Sequence, residues 1–410
     1  MTLDTLFELL VSIVWALVVF GAILQLAGLM TWVERKLSAM IQDRIGPNRA
    51  NIRIGKWNFT LIGLFHIMAD PVKLFTKEDF VPEGAHKTLH TLAPMVGLVV
   101  PIAIFAIFPF AGPLHISWKD IPAEDLWFLG SLFPGDVLHL SDMTVNFVVA
   151  RIDAGLLFVF AVASLGVYSN ILAGWASNNK YSFLGGLRGA NQMISYEVAL
   201  GLSAVGLFMV YGGVSLHDMV EGQGDLLLGI IPKWGIVTQP LAFLLFFACG
   251  MAEIKRVPFD LPEGESEIIA GYFLEYSSLK FTMFMFGEFV EMVLLSAVVT
   301  TIFLGGWQIP FISQEGWSIP LLNFAGQWAD TWLGATLGAN GTGILFAILQ
   351  AGKFTTVLLV VLYSIFMFRW TYPRFRYDQV MRMGWKMVLP LALINIAITA
   401  IVLVFTRGWI

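Results

Sequence analysis

Eight stretches of some twenty mostly apolar residues recur along the chain, at about 6–32, 91–110, 145–170, 192–211, 236–254, 274–304, 344–368 and 386–406. At 1.5 Å per residue, a helix of about 20 residues crosses the roughly 30 Å of hydrocarbon in a bilayer. Of the 410 residues, 57% are hydrophobic and 13% charged, with a mean hydropathy of +0.77. Soluble domains carry about 25% charged residues. A soluble globular fold is therefore excluded. The expectation is an all-α polytopic membrane protein with eight transmembrane helices, forming one integral membrane domain over residues 1–410. The first run lacks a basic flank and is longer than a signal-peptide core, so it reads as a retained helix.

The basic residues test that count, because Lys and Arg accumulate in cytoplasmic loops. Eighteen of the 24 fall in or at the edge of alternate loops, at about 33–90, 171–191, 255–273 and 369–385, Lys386 standing at the edge of the last. The opposite side, both termini included, holds Lys119, Lys233 and Arg407, while Arg151, Lys280 and Lys353 lie in or at the ends of spans. Both termini are expected outside the cytoplasm.

The first of these loops contains an apolar stretch too interrupted to span, residues 58–78. His66, Asp70, Lys73 and Lys77 follow one another at steps of four, three and four, one stripe of a helix with apolar residues around the rest. An amphipathic helix lying in the membrane interface fits, kinked at Pro71. A buried re-entrant segment is the alternative.

Three places could carry chemistry. Between the fifth and sixth spans, Glu253, Asp260, Glu263, Glu265 and Glu267 accompany Lys255 and Arg256, with Pro258 and Pro262 holding the backbone extended. Closely spaced carboxylates raise one another's proton affinity. A solvated loop of mixed charge is the plainer reading, but acids outnumber bases here on a side where loops should be basic. Second, Asp153, Glu197, Glu275, Glu288 and Glu291 fall within the predicted spans, where an ionised carboxylate is costly unless paired or hydrated. Buried ion pairs fixing helix register would be their structural role, with Asp153 pairing Arg151. Third, Trp32, Glu34, Arg35 and Lys36 close the first span, where alternating charges also serve as snorkelling anchors.

Several chemistries are absent. The single cysteine, Cys249, has no partner for a disulfide, a zinc site or an iron–sulfur cluster held by this chain alone. Of six histidines, only His86 and His90 stand four apart, ahead of the second span, so no transmembrane bis-histidine haem is expected. There is no Walker A sequence or strand-borne GxGxxG, and no serine–histidine–acid framework.

Seven segments stand in order along the chain: Glu34–Lys36 with Gln42–Asn48; Ala69, Asp70, Lys73, Lys77 and Glu78; Gly174–Ser182; Ser195–Glu197; Arg256–Glu267; Glu275–Tyr276; and Pro373–Gln379. Together they resemble one family, the junction membrane subunit of respiratory complex I, which is the H subunit of bacterial NADH:quinone oxidoreductase, or complex I subunit 1. The resemblance implies a subunit that is not catalytic alone. Quinone is its substrate, with iron–sulfur clusters and FMN carried by partner subunits. Its partners would be the quinone-site subunits of the hydrophilic arm, adjacent small membrane subunits and the lipid bilayer of a bacterial inner membrane, with no nucleic acid and no metal. Trp32, Glu34, Arg35, Asp70 and Lys73 would match the quinone entrance, and Arg256, Phe259, Asp260, Glu263, Glu265 and Glu267 the tunnel wall. Glu197, Glu253, Glu275 and Glu288 would carry the proton signal inward.

The chain departs from that pattern in places. Ile254-Lys255 stands where the family usually has Thr-Asn, Phe289 where many relatives have Tyr, and Ser164 where some carry Glu. Glu291 adds an acid at a position usually neutral. Loops at about 111–143 and 305–343 look longer and read as structured outer caps. The related subunit of membrane-bound hydrogenases and a stand-alone secondary transporter are the competing readings; transporters commonly show repeats and broken helices, and neither is visible here.

Overall fold

The computed structural model describes residues 3–54, 57–116, 121–122, 137–138, 143–227, 231–310, 312–313, 316–317 and 323–406. Its long helices follow the apolar runs. In chain order they are α1 (Leu3–Ile41), α2 (His66–Phe75), α3 (Lys87–Ile104), α4 (Gly155–Ala163), α5 (Leu165–Ala176), α6 (Lys180–Tyr211), α7 (Leu216–Gly222), α8 (Gly235–Thr238), α9 (Pro240–Glu253), α10 (Glu265–Ile268), α11 (Ser278–Phe303), α12 (Asn323–Thr371), α13 (Tyr377–Met383) and α14 (Leu389–Phe405). Among the described residues, strand is confined to short two-stranded pairs, among them β1 (Ile52–Ile54) with β2 (Trp57–Phe59). The all-α membrane class stands.

Among the described residues, seven helical segments are long and apolar enough to cross a bilayer. The run expected at 236–254 yields instead the 14-residue α9. Gln239, at φ −139° and ψ 59°, breaks the helix, and Pro240 restarts it where a missing N–H costs nothing. At about 21 Å, α9 alone falls short of the hydrocarbon thickness.

Other boundaries differ too. The helix α1 runs on to Ile41, so Glu34, Arg35 and Lys36 are helical, and α6 begins at Lys180, inside what was expected to be loop. The Asn179 side chain caps α6 by accepting from the Tyr181 N–H. The third span starts ten residues later than expected, which leaves Asp153 exposed in a turn ahead of α4. Arg151 pairs with Asp218 there, so the expected Arg151–Asp153 pair is not formed. Glu275 likewise lies in the turn before α11. The backbone is helical from Asn323, inside the expected outer cap, while most of the 111–143 cap falls outside the described residues.

The central helix is α11, buried along its second half, with α1, α3, α9 and α12 around it. Its Gly287 meets α3 so closely that a Cβ would lie 2.6 Å from the Gly97 carbonyl oxygen, a spacing only glycine allows. The helix α2 buries no residue and exposes Met68, Val72 and Phe75, as an interfacial helix does.

The loops gather at two ends. At one, Arg374 reaches Asp260, Arg188 reaches Glu267, Asn179 reaches Glu275 and Ser277 reaches the Glu78 carbonyl. At the other, the Gly305 N–H donates to Gln223, and Lys353 donates to the carbonyls of Leu304 and Gly306. The loops expected at 33–90, 171–191, 255–273 and 369–385 (loops one, three, five and seven) thus meet at one end of the bundle, and the loops after α6 and after α11 (loops four and six) at the other.

Candidate functional site: a cavity joined to a chain of carboxylates

A cavity of about 350 Å³ opens between α1, α2 and α11. Its outer walls are apolar, from Ile67, Leu74, Phe281, Met285 and Phe286. Its charged lining comes from four stretches far apart in sequence: Glu34 and Arg35 on α1, Asp70 on α2, Arg256 and Glu263 of loop five, and Arg369 from the last turn of α12.

These groups are paired. Arg369 contacts Glu34 directly, Arg256 stands 3.5 Å from the same carboxylate, and Arg35 lies 2.6 Å from Asp70. Arg256 also reaches Glu288 at 3.1 Å and lies over the Phe289 ring. Glu288 is 2% exposed and accepts a hydrogen bond from the Tyr272 phenol at 3.1 Å. Glu263 stands within electrostatic reach of Glu288. Burial, and then the charge of Glu288, push the Glu263 carboxyl well above the usual carboxylate range. The same two causes hold the Tyr272 phenol far above its ordinary value, so it remains a donor.

Deeper in the bundle, a second and smaller cavity of about 60 Å³ is lined by apolar side chains with Glu253 and Glu291. Lys255, 4% exposed, bridges the two regions: its ammonium is 3.5 Å from Glu291 and lies over the Tyr272 ring. Glu253 is within electrostatic reach of Glu197, Glu291 and Lys255.

The loop that supplies these groups is held from several sides. Gln192 donates to the Ala252 and Phe259 carbonyls, at 2.5 and 2.7 Å. The Phe375 N–H donates to the Pro258 carbonyl, and Arg374 pairs with Asp260 at 2.8 Å. Gly271, at φ +62°, lets the return strand pass Pro262, whose carbonyl a Cβ would overlap.

Of the expected entrance residues, Glu34, Arg35 and Asp70 line the cavity. Trp32 does not; its indole N–H donates to the Ile62 carbonyl and pins that turn to α1. Lys73 is exposed on α2. In loop five, Arg256 and Glu263 reach the cavity, whereas Phe259 packs between Tyr196 and Phe375, and Asp260 anchors Arg374. Glu267 is at the surface against Arg188, and the Glu265 side chain falls outside the described residues. Glu253 is within electrostatic reach of Glu197 and Glu291, and Glu291 of Glu288; Glu275 is apart from them, accepting from Asn179. His90 lies inside α3, stacked on Tyr276. Sequence reasoning missed Arg369 and Tyr272. Nothing local separates Arg369 from the other bases of its loop, and Tyr272 carries no charge to draw notice.

The fold and site define an α-helical integral membrane protein with a lateral apolar cavity continuous with buried, paired carboxylates. A family model described as NADH dehydrogenase matches residues 13–400. The chain belongs to this family, that of complex I subunit 1. It is 38% identical over 388 residues to H-subunit 1 of the NADH-quinone oxidoreductase of Cytophaga hutchinsonii, covering 94% of this chain and 95% of the relative. It is 40% identical over 390 residues to H-subunit 2 of the Syntrophobacter fumaroxidans enzyme, covering 95% of each. The corresponding H-subunit of Bdellovibrio bacteriovorus is 37% identical over 408 residues, 97% of each chain.

Proposed function

We propose that this chain is the membrane subunit of a proton-translocating NADH:quinone oxidoreductase. It admits quinone from the bilayer through the cavity between α1, α2 and α11, and links quinone reduction to proton movement along its buried carboxylates. Iron–sulfur clusters and FMN belong to partner subunits, which deliver the electrons. The naming of the relatives supports the subunit role. The single observation that carries the coupling is the run of contacts from the cavity, through Arg256, Glu288 and Tyr272, to Lys255 and Glu291, which lines a second cavity together with Glu253.

The chemistry follows from charge. Reducing a quinone to a quinol takes two electrons and two protons. Lys255, Arg256 and Arg369 face six carboxylates: Glu34, Glu197, Glu253, Glu263, Glu288 and Glu291. Three cations cannot neutralise six ionised acids, and uncompensated charge is costly inside a low-dielectric slab. The cluster therefore holds protons. A quinone taking up protons beside Glu263 and Arg256 changes the charge that Glu288 meets, and the change passes inward by proton exchange between neighbouring carboxylates.

We further infer eight membrane crossings in one integral domain, in a bacterial inner membrane with both termini outside the cytoplasm. The chain enters α9 from the end where Gln223 and Gly305 meet and leaves it at the end where Asp260 and Arg374 meet, which supports a crossing despite the length of α9. The 18 basic residues of the odd-numbered loops support the orientation. The adjacent small membrane subunits and the quinone-site subunits of the hydrophilic arm would complete the assembly.

Glu288→Gln and Glu263→Gln in the intact complex test the reading. Quinone reduction and proton pumping should each fall at least tenfold per assembled complex; wild-type values for both variants would overturn it.

A further inference from the structure

Lys255 stands in an unusual backbone state for its type. Its φ is +62°, in the left-handed region that asparagine and glycine adopt far more readily than lysine. It is also 4% exposed, and a buried ammonium is costly unless paired. Two unfavourable terms converge on one residue, and both would be relieved by a small neutral side chain. What the lysine contributes is its ammonium, 3.5 Å from Glu291, lying over the Tyr272 ring, with Glu253 two residues back along the chain. Glu253 and Glu291 line the same 60 Å³ cavity, which has room for water between them. Tyr272 in turn donates to Glu288.

We propose that Lys255 is a positioning residue for proton transfer, a counter-charge shared by Glu291 and Glu253 that sets which of them is ionised. This rests on the coupling role proposed above. With Glu291 ionised, the ammonium pairs with it as the structure records. When a proton passes from Glu253 to Glu291 through the cavity, the Glu253 O–H bond breaks, one forms on Glu291, and the ammonium compensates the new carboxylate at Glu253. No net charge is created in the membrane at any stage. Without the ammonium, either ionised state would stand uncompensated, and transfer between the two carboxylates would slow.

The groups facing this ammonium come from three elements. Glu291 lies on α11, Glu253 on α9 and Tyr272 on the turn before α11, with Glu288 beyond the Tyr272 hydroxyl, while Arg256 pairs with Glu34 and Glu288. The cation is thus placed between the part of the network that meets the cavity and the part that does not.

The test uses the intact complex, with rates normalised to assembled complex on native gels. Lys255→Asn suits the local backbone and removes only the charge. Its quinone reduction kcat and proton pumping should fall at least fivefold with the quinone KM within twofold of wild type, the pH profile should shift, and Lys255→Arg should restore most of the rate. If Lys255→Asn does not assemble, the double variant Lys255→Asn/Glu291→Gln, which leaves no unpaired charge, should assemble with the same loss. Wild-type turnover per complex in either variant overturns the inference. Glu288→Gln separates the two levels. Wild-type turnover there overturns the coupling reading itself, whereas a defect there beside a normal Lys255→Asn overturns the Lys255 role alone.

Discussion

Arg374 closes on Asp260 at 2.8 Å and so fastens the loop after α12 to the acidic loop after α9. Asp260 is buried while Arg374 is partly exposed, and the Phe375 N–H donates to the Pro258 carbonyl beside them. The pair holds the backbone that presents Arg256 and Glu263 to the cavity. Arg374→Ala should therefore loosen loop five without touching the cavity lining. Losing an ion pair of this kind costs roughly 1 kcal/mol, since Arg374 is screened by solvent although Asp260 is buried. Limited proteolysis of the assembled complex should cut the loop faster in the variant, and an unchanged cleavage rate would refute the fastening role.

Gly271→Ala should be more damaging. A methyl group there would overlap the Pro262 carbonyl oxygen, and the residue's φ of +62° is unfavourable for any β-carbon. Loop five and the turn carrying Tyr272 cannot then keep their present approach. The expected outcome is loss of most assembled complex, read as the amount of this chain in the large band on a native gel.

The Glu263 carboxyl gives a signed pH effect. Its native pKa is raised, so between the ordinary carboxylate value near 4.3 and that raised value the native chain holds a proton that the unfolded chain has lost. Stability should fall as pH rises through that window. Glu263→Gln removes the titration. The temperature at which this subunit is released from solubilised complex should thus decline less between pH 6 and pH 9 in the variant than in wild type. Parallel declines would contradict the assignment.

Thr31 lines the cavity on α1, where its hydroxyl donates to the Gly28 carbonyl. Thr31→Phe would fill part of the 350 Å³ without changing a charge. If quinone passes here, the KM for a long-tailed quinone should rise at least fivefold while kcat changes little. A short-chain quinone analogue should be less affected, since less of it occupies the passage. Equal effects of this variant on both substrates would argue against passage.

The recurrence of apolar runs and the alternation of basic loops were enough to establish a helical membrane bundle, because burial in hydrocarbon demands unbroken apolar helices and imposes a period that can be counted along the chain. The acidic loop was conspicuous for a similar reason: carboxylates so concentrated beside a span are expensive. Helix ends were harder to place. The helix α1 runs past Glu34 because charged residues are good helix formers once outside the bilayer, and α9 is short because Gln239 and Pro240 interrupt a run that hydropathy alone leaves whole.

Pairing depended on the folded chain. Arg369 meets Glu34, Arg256 meets Glu288 and Lys255 meets Glu291 across separations along the chain that no local pattern encodes. The same packing divided the acidic loop into residues that face the cavity, such as Glu263, and residues that hold the loop in place, such as Asp260. Composition and spacing settle what a segment can afford to bury, since that cost is local. Which carboxylate meets which cation is settled by helix packing, since a charge interaction depends on distance in space and takes no account of order along the chain.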